Sequence, residues 1–245
     1  MDQTNSKPSI KISGSGSAGG GDFDQIKISG SGKITGDCSC SVLKISGSAT
    51  IEGTLSAEEA IVSGSAKFQS DLKAEYLKIS GSAKVQGNVV AKELKVSGSF
   101  TAEQGLSGEH METTGSLKVS NDCNAEEFIL RGQCRIGGLL NAGDIDIQLE
   151  GRSEIKTIGA ECIKVTMGRY GSFINDLINM FSDQNGKLIC ESIEGDDIFL
   201  ENTICDVVRG GKIVIGKGCQ IKLVEYSQTL EVDKEAKVDT QVKSI

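Results

Sequence analysis

Residues 26–36 read IKISGSGKITG. The phrase returns as LKISGSATIEG at 43–53, AIVSGSAKFQS at 60–70 and LKISGSAKVQG at 77–87, then as LKVSGSFTAEQ at 94–104, METTGSLKVSN at 111–121 and FILRGQCRIGG at 128–138. The glycine in the fifth place of each, from Gly30 through Gly47, Gly64, Gly81, Gly98 and Gly115 to Gly132, recurs every 17 residues. A fixed period of this size marks one structural unit stacked on copies of itself.

Counted from these glycines, the apolar residues fall in columns. Four before stand Ile26, Leu43, Ala60, Leu77, Leu94, Met111 and Phe128, and two before stand Ile28, Ile45, Val62, Ile79, Val96, Thr113 and Leu130. Further columns lie two, four, eight and ten residues after, with Ser, Lys, Glu, Thr and Asn mostly between them. Spacing by two is the strand period, because alternate side chains point to opposite faces. A helical repeat needs spacings of three and four, which the columns lack. Three inward pairs per period predict three short strands per coil. These bend at Ser-Gly-Ser, at the glycine six residues later (Gly36, Gly53, Gly87, Gly138) and at the charged pair before the next Leu. The fold class predicted is all-β: a triangular parallel β-helix, or β-solenoid, right-handed by the usual crossover preference. Column volumes fit a packed interior, since Phe100 enlarges one column where Ala102 shrinks the next.

The pattern extends in both directions. Gly14 lies 16 residues before Gly30, and Gly151 follows Gly132 after a two-residue insertion. AECIKVTM (160–167) copies AEYLKISG (74–81), and IFLEN (198–202), IVIGK (213–217) and LEVDK (230–234) resume the coil. The organisation expected is a polar tail over 1–9, solenoid over 10–167, an inserted segment over 168–187 and further solenoid over 188–245. Within the insertion, SFINDLINMFS (172–182) abandons spacing two. Phe173, Ile174, Leu177, Ile178 and Phe181 follow a helical stripe, with Ser172 placed to cap it. The segment predicts a short helix that either covers the coils or docks a partner or a membrane surface.

Composition narrows the chemistry. Thirty-one glycines beside one proline mean regular tight turns, and 4% aromatics with no Trp mean an aliphatic core. A net charge of −8 weighs against broad nucleic-acid binding. MDQTNSKPS at the N-terminus holds no apolar signal region, and no run approaches the roughly 18 apolar residues of a membrane span. Eight cysteines without a secretory leader point to reduced thiols in the cytoplasm.

No residue set reads as a catalytic centre. The one histidine, His110, sits in GEHMETTG without an orienting partner or nucleophile in its motif. Cys38 and Cys40 form a C-x-C pair, but both occupy inward columns, as do Cys123 and Cys134, and read as small core residues. The Ser-Gly-Ser runs lack the lysine and following helix of a phosphate loop. No enzyme, cofactor, nucleotide or metal is expected. Two rival readings are a solenoid enzyme of carbohydrate or hexapeptide-acyltransferase type and a monomeric adaptor. The 17-residue period and lone turn histidine oppose the transferase.

LKISGSATIEG and LKISGSAKVQG, together with IEGDDIFLENTICDVVRGGKIVIGKGCQIKLVEYSQTLEV at 193–232, resemble the bactofilins, bacterial polymer-forming cytoskeletal proteins, in their longer Gram-positive form. The resemblance implies a right-handed β-helix that polymerises end to end without nucleotide. It also implies a scaffold for cell-shape, cell-wall or motility machinery in the cytoplasm or at the inner face of the membrane. Expected partners are copies of the chain, other bactofilin-like subunits and morphogenetic or motility proteins. Solenoid ends expose apolar surface and unpaired backbone unless capped. The polymer contact is therefore expected at Ile10, Ile12, Phe23, Ile26 and Ile28 of the first coil and at Leu230, Val232, Val238, Val242 and Ile245 of the last.

Overall fold

The computed structural model describes residues 7–168 and 186–244. These fall into two compact units, Met1–His110 with Ser116–Ser120 and Met111–Gly115 with Asn121–Ile245. Both are built from parallel strands, and no helix occurs among the described residues. Together they hold about 13 solenoid turns of about 17 residues. The segment 172–182, with its five expected stripe residues, lies outside the described residues.

The first unit contains strands β1 (Ile10–Ile12), β2 (Ser15–Ile28), β3 (Ser31–Ile45), β4 (Ser48–Ile51), β5 (Leu55–Val62), β6 (Ser65–Phe68), β7 (Leu72–Ile79), β8 (Ser82–Val85), β9 (Val89–Val96), β10 (Ser99–Ala102) and β11 (Leu106–Ser107). β12 (His110–Thr113) lies on the boundary in sequence, and β13 (Ser116–Val119) returns to the first unit. Register follows the period: Ala49 pairs with Ala66, Leu55 with Leu72, and Ile45 with Val62. The predicted columns are the core. Leu43, Ile51, Ala60, Leu77, Val85 and Leu94 are all fully enclosed, as are Phe100 and its small neighbour Ala102. The 16-residue first step is absorbed by a one-residue register shift between Gly19 and Gly21.

The three expected strands per coil are separate in β10, β11 and β12 and run on as one in β3, whereas the coils between divide into two. In β5 and its copies the second and third predicted strands run on as one. Two adjacent outward residues, Glu58 and Glu59 in β5, bend the chain while the ladder continues on either side. The bend keeps its hydrogen bonds because only one residue per coil, Glu58, drops out of the pairing.

The second unit contains β14 (Cys123–Asn124), β15 (Glu127–Leu149), β16 (Arg152–Met167), β17 (Lys187–Leu200), β18 (Thr203–Ile215), β19 (Gln220–Val232) and β20 (Lys237–Lys243). The offset is 19 residues at Ile136–Ile155 and 18 from Leu140–Ile158 onward. Between β17 and β18 it contracts to 15, as in Ile198–Ile213. The contraction accompanies a two-residue corner, Glu201–Asn202, in which Asn202 has φ 46. Asn tolerates this left-handed conformation better than other non-glycine residues.

Met167 pairs with Leu149 and Lys187 with Arg152. The Gly168 N–H donates to the Leu149 carbonyl at 2.9 Å, and Lys187 N–H donates to the Gly151 carbonyl at 3.3 Å. The inserted stretch therefore starts and finishes at one corner, the place that the first unit turns with Ser-Gly-Ser.

Candidate assembly surfaces

At the N-terminal end of the first unit, β1 lies against Ile26–Ile28 of β2. Ile26 and Ile28, expected at the end surface, are instead core residues at 1% and 0% exposure, covered by Ile10 and Ile12 one layer below. Ile10, Ile12 and Phe23 are half-buried, as inward residues with neighbours on one side only should be. The stretch Ser15–Phe23 pairs with β3 and, among the described residues, with no strand on its other side. Part of this edge is occupied: Asp24 N–H donates to the Pro8 carbonyl at 2.9 Å, and Lys7 bonds Asp22 at 3.1 Å. The remaining edge is rich in glycine. Gly21 has φ +148, a conformation that side-chain-bearing residues rarely adopt, and faces the Phe23 ring.

At the C-terminal end of the second unit, β20 covers Gln220–Tyr226 and leaves the last part of β19 uncovered among the described residues. Leu230 and Val232 continue the columns Ile198–Ile213 and Leu200–Ile215. Leu230 is half-buried and Val232 is 38% exposed. Val238 stacks on Ile221 and is half-buried. Val242 is exposed for a different reason: it is in register with Glu225, which faces outward between the buried Val224 and the next turn. Ile245 lies outside the described residues. Val224 is followed in its column by Gln241, so the final layer is less apolar than the first.

The cysteine reading holds for all four inward thiols. Cys38 and Cys40 are each 5% exposed, and burial pushes their thiols up to about 11 and about 12. Cys123 and Cys134 are equally enclosed, the latter pushed up to about 12 by burial. Such thiols are poor nucleophiles and poor metal ligands at neutral pH. His110 is exposed at the start of β12, and Met111 takes the inward place beside it.

What these ends can do is pair. An open parallel edge carries unsatisfied N–H and C=O groups and offers a template for another strand. Residues 7–104 match the sequence profile of the bactofilins, described as polymer-forming and cytoskeletal. Residues 7–104 are a bactofilin domain. Two Bacillus subtilis (strain 168) proteins share the pattern. YhbF is 40% identical over 107 residues, 43% of this chain and 42% of its own. YhbE is 41% identical over 110 residues, 44% of each chain. Both bear the designation uncharacterized, and the chain spans less than half the length of these relatives. No solved structure matches.

The bactofilin domain also holds a polar ladder that apolar periodicity misses. Seven residues after each anchor glycine stand Asp37, Thr54, Asp71, Asn88 and Gly105. Asp37 Oδ1 accepts from the Thr54 N–H at 2.7 Å and from its hydroxyl at 2.6 Å. Asp71 Oδ1 accepts from the Asn88 N–H at 2.7 Å, and Asn88 Oδ1 from the Gly105 N–H at 3.3 Å. The Asp37, Asp71 and Asn88 side chains thus each satisfy a backbone donor of the next coil where the strand is interrupted. Thr54's two bonds hold the Asp37 carboxyl below the usual carboxylate range. The column was available to sequence reading as a run of turn-forming residues at fixed spacing.

Proposed function

We propose that this chain is a cytoskeletal subunit that self-assembles end to end into filaments, without nucleotide or metal, and scaffolds cell-shape, cell-wall or motility machinery in the cytoplasm. The family description supports polymer formation. The observation that carries the end-to-end geometry is the state of the terminal layers. Ile10, Ile12 and Phe23 in the N-terminal layer of the first unit, and Leu230, Val232 and Val238 in the C-terminal layers of the second, continue the core columns but stay only partly covered. Stacking another copy on either layer buries them and pairs the free edge, in the way that each coil already buries its neighbour.

Phe23→Glu and Val238→Glu test this in the full chain. A carboxylate forced into an apolar joint costs about 3–5 kcal/mol when unpaired. Filaments should shorten or vanish in electron micrographs while β-rich circular dichroism and the melting temperature persist. Undiminished filaments from both variants would place the contact away from the end layers. The segment 172–183 is proposed as a separate docking or covering element that the polymer contact does not require.

A further inference from the structure

The two outward columns that flank the Ser-Gly-Ser corner of the first unit hold three quarters of its basic charge. Three residues before the anchor glycines stand Lys11, Lys27, Lys44, Ile61, Lys78 and Lys95, paired in register from coil to coil. Three after stand Ser17, Lys33, Thr50, Lys67, Lys84, Thr101 and Lys118, again in continuous register. The described residues of this unit carry 12 lysines against 11 carboxylates, and nine of those lysines lie in these two columns, which hold no carboxylate within the unit; the next place of the first column, three before Gly115, is Glu112. In the second unit the described residues carry 13 basic against 20 acidic groups. The charge is therefore segregated, although the chain as a whole is acidic.

Between the lysine columns run two serine columns, Ser29 to Ser97 and Ser31 to Ser99, exposed at every coil. Four of the lysines are tied to carboxylates one column farther out: Lys33 to Glu52, Lys44 to Glu59, Lys84 to Glu103 and Lys95 to Glu93. Lys11, Lys27, Lys67, Lys78 and Lys118 are exposed and make no ion pair among the described residues. With coils about 4.8 Å apart, the corner is a ridge of hydroxyls bordered on both sides by exposed ammonium groups. On one flank a shallow recess of about 210 Å³ opens, lined by Ser48, Ser65, Ser82 and Lys67 over a floor of Ala49 and Ala66.

We infer that this ridge docks on a bilayer surface rich in anionic phospholipid. Hydroxyls and ammonium groups together recognise phosphate, and clustered lysines beside an anionic leaflet bind it. The lysine stems are long enough to bring charges from both flanks to one plane at the apex. A nucleic acid strand fits less well: the ridge projects, and neither column holds an aromatic ring on which bases could stack. The ridge lies on the outward face of the coils, and of its lysines only Lys11 belongs to a terminal layer, so binding does not depend on the polymer contact. Polymerisation would strengthen it by presenting many ridges at once.

The test is flotation of the full chain on a density gradient with vesicles of phosphatidylcholine plus phosphatidylglycerol, or of phosphatidylcholine alone. Flotation, not pelleting, is needed because filaments sediment unaided. The wild type should float with the anionic vesicles only, and less at high salt. Each lysine at an anionic surface changes partition roughly fivefold. The quadruple variant Lys27→Gln, Lys67→Gln, Lys78→Gln, Lys118→Gln should therefore bind at least about 100-fold more weakly while still forming filaments. The same four sites changed to Arg should retain binding. So should the off-ridge control Lys73→Gln, Lys156→Gln, Lys217→Gln, Lys234→Gln, which removes equal charge. Any one of three results overturns the assignment: wild-type protein that does not float, a ridge variant that floats as well as the control, or retention of short duplex DNA that anionic vesicles cannot displace.

Discussion

Each anchor glycine from Gly47 to Gly98 places its α-carbon against the carbonyl oxygen of the glycine one coil below, where a Cβ would overlap backbone. None of these has a positive φ, so the requirement is close approach and not an unusual turn conformation. Gly64→Ala should therefore cost about 1–3 kcal/mol of stability, the usual range for forcing atoms into a packed site. Gly14 has no coil beneath it in the described structure and nothing within 4 Å of an added Cβ. Gly14→Ala should leave the unfolding midpoint unchanged, and equal losses for both variants would contradict the steric account. The thiols offer a second check at this scale. Of eight cysteines, seven are buried and Cys162 is exposed. Maleimide should modify Cys162 rapidly in the native protein and the other seven only on unfolding, read by mass spectrometry. Fast native labelling of Cys38 or Cys40 would show that the inward columns are not closed.

At the scale of elements, the inward columns were legible because a strand's alternation and a fixed period reinforce each other over many coils. The bend at the charged pair Glu58–Glu59 was legible too, but not that one strand runs on through it, since two polar residues in sequence look like an interruption, yet the ladder tolerates one unpaired residue there. Corners depend on polar groups, which carry no hydrophobic signal, and the Asp37–Thr54 contact went unread for that reason. It gives a pH prediction. Because the folded carboxyl of Asp37 is held below its ordinary value by Thr54, its contribution is present above pH ~4 and is lost as pH falls through the lower folded pKa. Asp37→Asn should lower the melting temperature at pH 7, with the difference from wild type shrinking in acid. A difference that stays constant into acid would mean that the carboxylate charge plays no part. The contracted 15-residue step at Asn202 was visible in IFLEN and IVIGK, but its cause, a left-handed corner, needed the backbone.

For the whole molecule, the fold class, and the bactofilin match of residues 7–104, could be read from a repeated glycine phrase, whereas the end surfaces could be read only in part. Ile10 repeats Ile26 at a step of 16, so a layer below Ile26 was available in the sequence. Val242 could not be assigned an outward place without the register that sets it beside Glu225. Lysine segregation escaped a composition argument because net charge averages over two units of opposite balance. The central claim is passive end-to-end assembly, and negative-stain electron microscopy of purified protein with chelator and without nucleotide tests it most directly. Filaments should form from the wild type and be lost or shortened in Phe23→Glu and Val238→Glu protein that keeps its β-rich spectrum. Isolated short particles from the wild type, or filaments that appear only after nucleotide or metal is added, would contradict it.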